Sequence, residues 1–244
     1  MSADLDKLVT YIRQTLSDLG TPLTDAADEY ASLPQCVIDA VFSIGARYES
    51  TENAVTHFCD RFGWKRDGRG SQEHTISEFV QVMLPYRNRW ENMAVDLFNN
   101  RQRTSTKSGI LKAEAVYHFA ATLRQFQIET FADVMKVGLR DDLRSAIKKI
   151  TGQSSGLSYS YFLILAGNLD GVKPDRMVTR YVATSLSVRS VTPELAEQLV
   201  RNASVSLRTE FPTLMPSVLD NKIWKYQRKQ EELMTMPVQH GCRT

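Results

Sequence analysis

Apolar residues recur at helical spacing along nearly the whole chain, and period-2 alternation over strand lengths is hard to find. That feature restricts the chain to helix packed on helix, an all-α class. Leu5, Leu8, Val9 and Ile12 fall on one face of a first helix, which Gly20 and Pro22 end. Pro34 sits in the first turn of a second helix. There Cys36-Val37-Ile38, Val41-Phe42 and Ile44 make an apolar face broad enough for a central position. The stretch from Gly45 to Ser50 interrupts it, and Ser50-Thr51-Glu52-Asn53 is expected to cap a helix from Ala54 to Phe62. Residues 63–72, rich in Gly and charge, read as an exposed loop. Further helices are expected at 75–84, 86–100, about 110–124, 128–137, 139–150 (after a Gly138 C-cap), 157–167, from Pro174-Asp175 onward, at 192–209 and at 216–234.

The 244 residues, 42% of them hydrophobic, can bury one large core or two lobes. Lys and Arg number 30 against 28 Asp and Glu, so any nucleic-acid partner must be held by local basic patches rather than by the whole-molecule field. No apolar run approaches the ~20 residues of a membrane span, and the start MSADLDKLVTYIRQ lacks a secretory apolar region, so no membrane partner is expected. Cys36, Cys59 and Cys242 are too scattered for a disulfide framework. The histidines, His57, His74, His118 and His240, lack metal-site spacing, so no metal is expected; the default compartment is the cytoplasm.

Residues 143–182, LRSAIKKITGQSSGLSYSYFLILAGNLDGVKPDRMVTRYV, carry the most information. They begin as helix, Gly-bounded turn, helix. Gly152 and Gly156 permit backbone torsions that other residues resist, and Gln153, Ser154 and Ser155 between them leave main-chain N–H groups uncovered at a helix start. Such a turn can hold an anion, most naturally a phosphate, with Lys148 and Lys149 beside it; it can equally be a mere connection. Asp175 follows 19 positions after Gly156, where a helix opens. It can cap that helix, or hold charge where a cationic transition state develops.

This order of hairpin, apolar helix and helix-opening Asp resembles the helix-hairpin-helix DNA glycosylase superfamily. The likeness extends upstream. LPQCVIDAVFSIGARYESTENAVTHFCDRFG (33–63) resembles the family's central helix and DNA-probing loop, and LKAEAVYHFAATLRQF (111–126) its Lys-opened helix. Together the segments cover about half the chain. The resemblance implies a two-lobed fold, with a central lobe at 36–185, a second lobe of 1–35 plus 186–244, and a DNA cleft between them. Leu157 and Ser158 stand where bifunctional relatives carry a lysine nucleophile, and the four-Cys iron–sulfur motif is absent, which implies a monofunctional enzyme without a cluster.

The activity implied is flipping of a nucleobase out of double-stranded DNA by a monomer and hydrolysis of its N-glycosidic bond, leaving an abasic site. Asp175 is then the catalytic residue. Phosphates are held by Gly152, Gln153, Ser154, Ser155, Gly156 and Ser158 with Lys148, Lys149, Lys173 and Arg176. A structural monovalent cation at the hairpin is the one cofactor the resemblance admits. Arg47, Tyr48, Glu49 and Tyr159 are the wedge or base-pocket candidates. Arg47 and Tyr48 are otherwise solvated surface, and Tyr159, Tyr161, Trp64 and Trp90 belong either to the pocket or to the core, the core being the more common place for such residues. Arg101, Arg103 and Lys107 form a basic, hydroxyl-rich patch suited to phosphates, or a solvated loop. The substrate expected is a modified base, as in anti-phage enzymes that excise glucosylated hydroxymethylcytosine from phage DNA. The alternatives are a repair glycosylase for damaged or mismatched bases, a non-catalytic helical DNA-binding protein and a protein-binding adaptor.

Overall fold

A computed structural model describes residues 2–21, 29–137 and 140–235. Pro22 and Gly138, expected to end helices, Leu139, and the tail carrying His240 and Cys242 lie outside the described residues. The described chain forms α1 (Ser2–Thr15), α2 (Leu33–Phe42), α3 (Tyr48–Phe62), α4 (Ile76–Met83), α5 (Trp90–Asp96), α6 (Lys112–Gln125), α7 (Phe131–Val137), α8 (Asp141–Lys148), α9 (Leu157–Leu165), α10 (Arg176–Leu186), α11 (Pro193–Leu207) and α12 (Pro216–Thr235). Among the described residues, β pairing is confined to two isolated bridges, Tyr30 with Asp67 and Arg103 with Leu111.

Two compact units result, Thr24–Gly171, and Met1–Leu23 with Val172–Thr244. The division expected from sequence, with 36–185 as the central lobe, therefore shifts, and α10 with Asp175 joins the chain ends. The reason is the apolar face of α10: Val178, Tyr181, Val182 and Leu186 share a core with Leu8 and Ile12 of α1, Leu199 and Ala203 of α11, and Leu219 and Ile223 of α12. Lys222 of α12 fastens the same unit, donating to the Asp18 carbonyl at 2.8 Å.

In the 24–171 unit α2 is the axis. All ten of its residues are buried, and α3, α4, α6 and α9 pack around it. A helix with no solvated face still ends in orphan carbonyls. Lys112, at the start of α6, supplies donors for them: its Nζ lies 2.8 Å from the Phe42 carbonyl, 2.9 Å from that of Ile44 and 3.1 Å from Gln102 Oε1. Burial lowers its proton affinity to about 8, below that of a free lysine.

Two local expectations fail for identifiable reasons. The helix expected from Ala54 starts at Tyr48, because Gly45, at φ +65°, turns the chain early and Arg47 already lies in the extended N-cap conformation. The 63–72 loop is not simply solvated. Its Arg69 donates to the Leu165 and Ala166 carbonyls at 3.0 and 3.2 Å, pairs with Glu29 and lies 4.0 Å over the Phe131 ring. A guanidinium there caps α9 at its negative end.

Candidate functional site

The hairpin joins α8 to α9 and uses two of its own amides to hold its shape. Gln153 N donates to the Ile150 carbonyl at 2.9 Å, and Gly156 N to that of Gln153 at 3.0 Å. Gly152 and Gly156 adopt φ of +84° and +75°, so the turn needs glycine at both places. Among the described residues, the N–H groups of Gly152, Ser154 and Ser155 meet no protein acceptor. Lys148 and Lys149 are exposed beside them. Arg144, which sequence reasoning missed, lies one turn before Lys148. Its Nε comes within 3.7 Å of the place a Gly156 Cβ would occupy. The i, i+4 spacing of Arg144 and Lys148 on α8 was the signal available for it.

A second segment abuts this turn. Gln102–Thr104 pairs back on Ile110–Lys112, through Thr104 N to the Ile110 carbonyl at 2.9 Å and Lys112 N to that of Gln102 at 2.8 Å. The resulting arm presses Thr104 on Gly152 so closely that a Cβ there would lie 2.2 Å from the Thr104 Cβ. The exposed Ser105, Thr106, Lys107 and Ser108 form the tip of the arm beside the hairpin. Arg103 is held within it, donating to the Gly109 carbonyl at 3.1 Å and to Glu91 at 3.2 Å, while Arg101 is exposed.

Gln153, Gly156 and Ser158, expected as phosphate contacts, are corrected by their burial, and Tyr159 takes the core place of its two expected ones. Gln153, Ser158 and Tyr159 are 2%, 1% and 1% exposed. The α9 sequence LSYSYFLIL is apolar enough to be drawn against α2, and it takes Ser158 and Tyr159 inside with it. The Tyr159 hydroxyl donates to the Arg140 carbonyl at 3.5 Å, and burial pushes its pKa up. Among the described residues, the hydroxyls of Ser158 and Thr104 are buried without a partner.

In the loop expected to probe DNA, Arg47, Tyr48 and Glu49 are exposed, which suits a wedge and ordinary solvated surface alike. A surface cleft of about 510 Å³ adjoins them, lined by Arg47, Glu49, Ser50, Asn53, His57 and Asn100 among others. Ser50 Oγ accepts from Asn100 at 3.1 Å and from Gln102 at 3.0 Å, tying the loop to the arm. Trp64 stacks on His74 at 3.8 Å within an aromatic cluster with Phe58, and Trp90 packs on Tyr117 at 5.5 Å. Both are half-buried and pack against the core of the unit. The Tyr161 hydroxyl, with that of Tyr30, donates to the buried Asp39 carboxylate, at 3.4 and 3.0 Å. Sequence reasoning missed Asp39 because it lies inside the apolar run of α2.

In the other unit Asp175 is the N-cap of α10 and half-buried. Its Oδ1 accepts from Met177 N at 2.8 Å and Val178 N at 3.2 Å. Among the described residues Oδ2 has no partner. Its amide donates to the Lys173 carbonyl at 2.7 Å, closing a tight turn through Pro174. Arg176 is not a bare cation: it pairs with Glu231 at 3.5 Å, and Arg180 shares that carboxylate.

A family model described as a domain of unknown function (DUF8548) matches residues 6–228. The chain belongs to this family. The match runs from α1 into α12, so the DUF8548 domain contains the hairpin, the arm, the loop at 47–49 and Asp175. No curated protein and no solved structure matches the chain. Among the described residues of this DUF8548 domain no three His, Cys, Asp or Glu side chains gather as a metal site, and no helix is long and apolar enough to cross a membrane.

Proposed function

We propose that this protein is a monofunctional DNA glycosylase that excises a modified base. The observation that carries the reading is the Asp175 carboxylate: Oδ1 is fixed by two helix amides while Oδ2, at a half-buried position, meets no partner among the described residues. Open amides at Gly152, Ser154 and Ser155 with Arg144, Lys148 and Lys149 nearby support phosphate binding, which supplies affinity without reading sequence. Exposed Arg47 and Tyr48 support a role in filling the space left by an extruded nucleotide.

In this reading the C1′–N bond breaks with its electron pair leaving on the base, and the sugar becomes an oxocarbenium ion. Ionised Asp175 offsets that charge. Water adds to C1′ and gives up its proton, while the departing base gains one. The groups expected on the substrate are those of hypermodified phage cytosines, with alkylated or oxidised bases the repair alternative. A second reading also has support: the two amide bonds to Oδ1 are what a purely structural cap makes, consistent with a DNA-binding protein without turnover.

The test incubates the protein with glucosylated-hydroxymethylcytosine phage DNA, alkylated DNA and unmodified DNA and counts abasic sites. Abasic sites are expected in the phage DNA and none with Asp175→Asn, which keeps the cap and should bind DNA as tightly. Near wild-type excision by Asp175→Asn, or DNA binding without abasic sites in any of the three, would sink the enzymatic reading.

A further inference from the structure

The turn that presents Asp175 is anchored by an acid with no role in the chemistry above. Asp220, on the second turn of α12, is 7% exposed, and its Oδ1 accepts from Lys173 N at 3.1 Å. Lys173 in turn accepts the Asp175 amide at 2.7 Å. Two consecutive hydrogen bonds therefore run from the interior of the unit to the cap. We propose that Asp220 is a positioning residue, which fixes the Lys173–Asp175 turn from within and so sets the direction of the Asp175 carboxylate. The inference rests on the proposed role of Asp175 only for its catalytic consequence; the anchoring itself does not.

The groups around Asp220 explain why an acid serves there. Burial, the Asp175 charge and Glu197 on α11 all favour its neutral form, while the Lys173 amide and ammonium oppose them; its pKa stands well above the ordinary carboxylate range. A neutral carboxyl accepts the Lys173 N–H without placing a second full charge beside Asp175.

The experiment compares Asp220→Asn, which keeps the acceptor, with Asp220→Ala and the volume-filling Asp220→Leu, which lack it. Two properties are read: hydrogen exchange at the Met177 and Val178 amides, which report the Asp175 cap, and abasic-site formation with DNA affinity. Ala and Leu are expected to speed exchange about tenfold and to lower kcat roughly 30- to 100-fold with DNA affinity held within about twofold, since small misplacements of a reacting group cost this much. Asn restores both. Unchanged exchange in Ala and Leu, or an Asn variant as impaired as Ala, overturns the proposal. Should the wild type form no abasic sites on any DNA, the glycosylase reading fails, and the exchange arm still decides the role of Asp220.

Discussion

Replacing Gly152 with Ala tests whether the arm and the hairpin form one rigid surface. The new Cβ meets the Thr104 Cβ at 2.2 Å and its Oγ1 at 2.3 Å, far inside the ~3.5–4.0 Å of ordinary carbon contact. Relief by movement costs about 1–3 kcal/mol, typical of overpacking. The φ of +84° adds about 1–2 kcal/mol for any residue with a Cβ. The expected loss is about 2–5 kcal/mol, read as a lower urea midpoint at unchanged slope. Thr104→Gly removes every atom involved in the clash but none of the torsional strain. In the double variant the clash disappears, so the pair is about 1–3 kcal/mol less destabilised than the two single losses added together. Additivity within about 0.5 kcal/mol would show that Thr104 does not press on Gly152, and the composite surface would have to be abandoned.

Other expectations follow from buried polar groups. Lys112→Met strips donors from two main-chain carbonyls and Gln102, a loss of about 2–4 kcal/mol in urea unfolding. Because the folded-state pKa of Lys112 lies at about 8, below 10.5, its stabilisation is fullest above pH 10.5 and is lost as pH falls through 8. The gap between wild type and Met variant should widen from pH 8 to 10.5; a constant gap contradicts the assignment. Asp220 has the opposite sign. Its raised pKa makes its stabilisation complete below about 3.8 and diminishing as pH rises towards the folded value, at about 1.4 kcal/mol per pH unit. Asp220→Asn should therefore gain on the wild type between pH 4 and 7, and a flat difference would refute the shift. Arg69→Leu uncaps α9 and removes the contact over Phe131, lowering stability by about 2–4 kcal/mol, and Arg69→Lys should recover less than half because it lacks the planar fork. Thermal unfolding of the three proteins checks this.

Helices were legible where periodicity was strong and a stop signal lay nearby. Pro34 does stand in the first turn of α2, and Asp175 does cap α10. The start of α3 was misplaced because Ser50-Thr51-Glu52-Asn53 has the composition of a capping sequence, yet the decisive event is the left-handed Gly45, which lets the helix begin at Tyr48. The division into units was displaced for a different reason. Whether α10 joins the residues before it or those after it depends on which apolar faces complement its own, and its core partners on α1 and α12 are far away along the chain. Periodicity shows that a face exists; it does not name the partner.

The candidate site shows the same limit at the scale of side chains. Composition made Gln153 and Ser158 look available, because polar residues beside a turn are usually solvated. The strongly apolar α9 carries Ser158 and Tyr159 into the unit, while the side chains left exposed beside the hairpin are Arg144, one turn before Lys148, and the arm tip, whose Lys107 and hydroxyls composition already marks as suited to phosphates. Asp175 was legible because one local relation, a carboxylate just ahead of a helix, fixes Oδ1 wherever the helix goes. Its anchor was not, since Asp220 lies 47 positions from Lys173 and enters only through a bond to a main-chain amide, to which side-chain identity contributes nothing. A carboxylate just ahead of a helix is thus within reach of sequence reasoning, whereas the buried groups that hold its turn are found by following each buried polar atom to its partner.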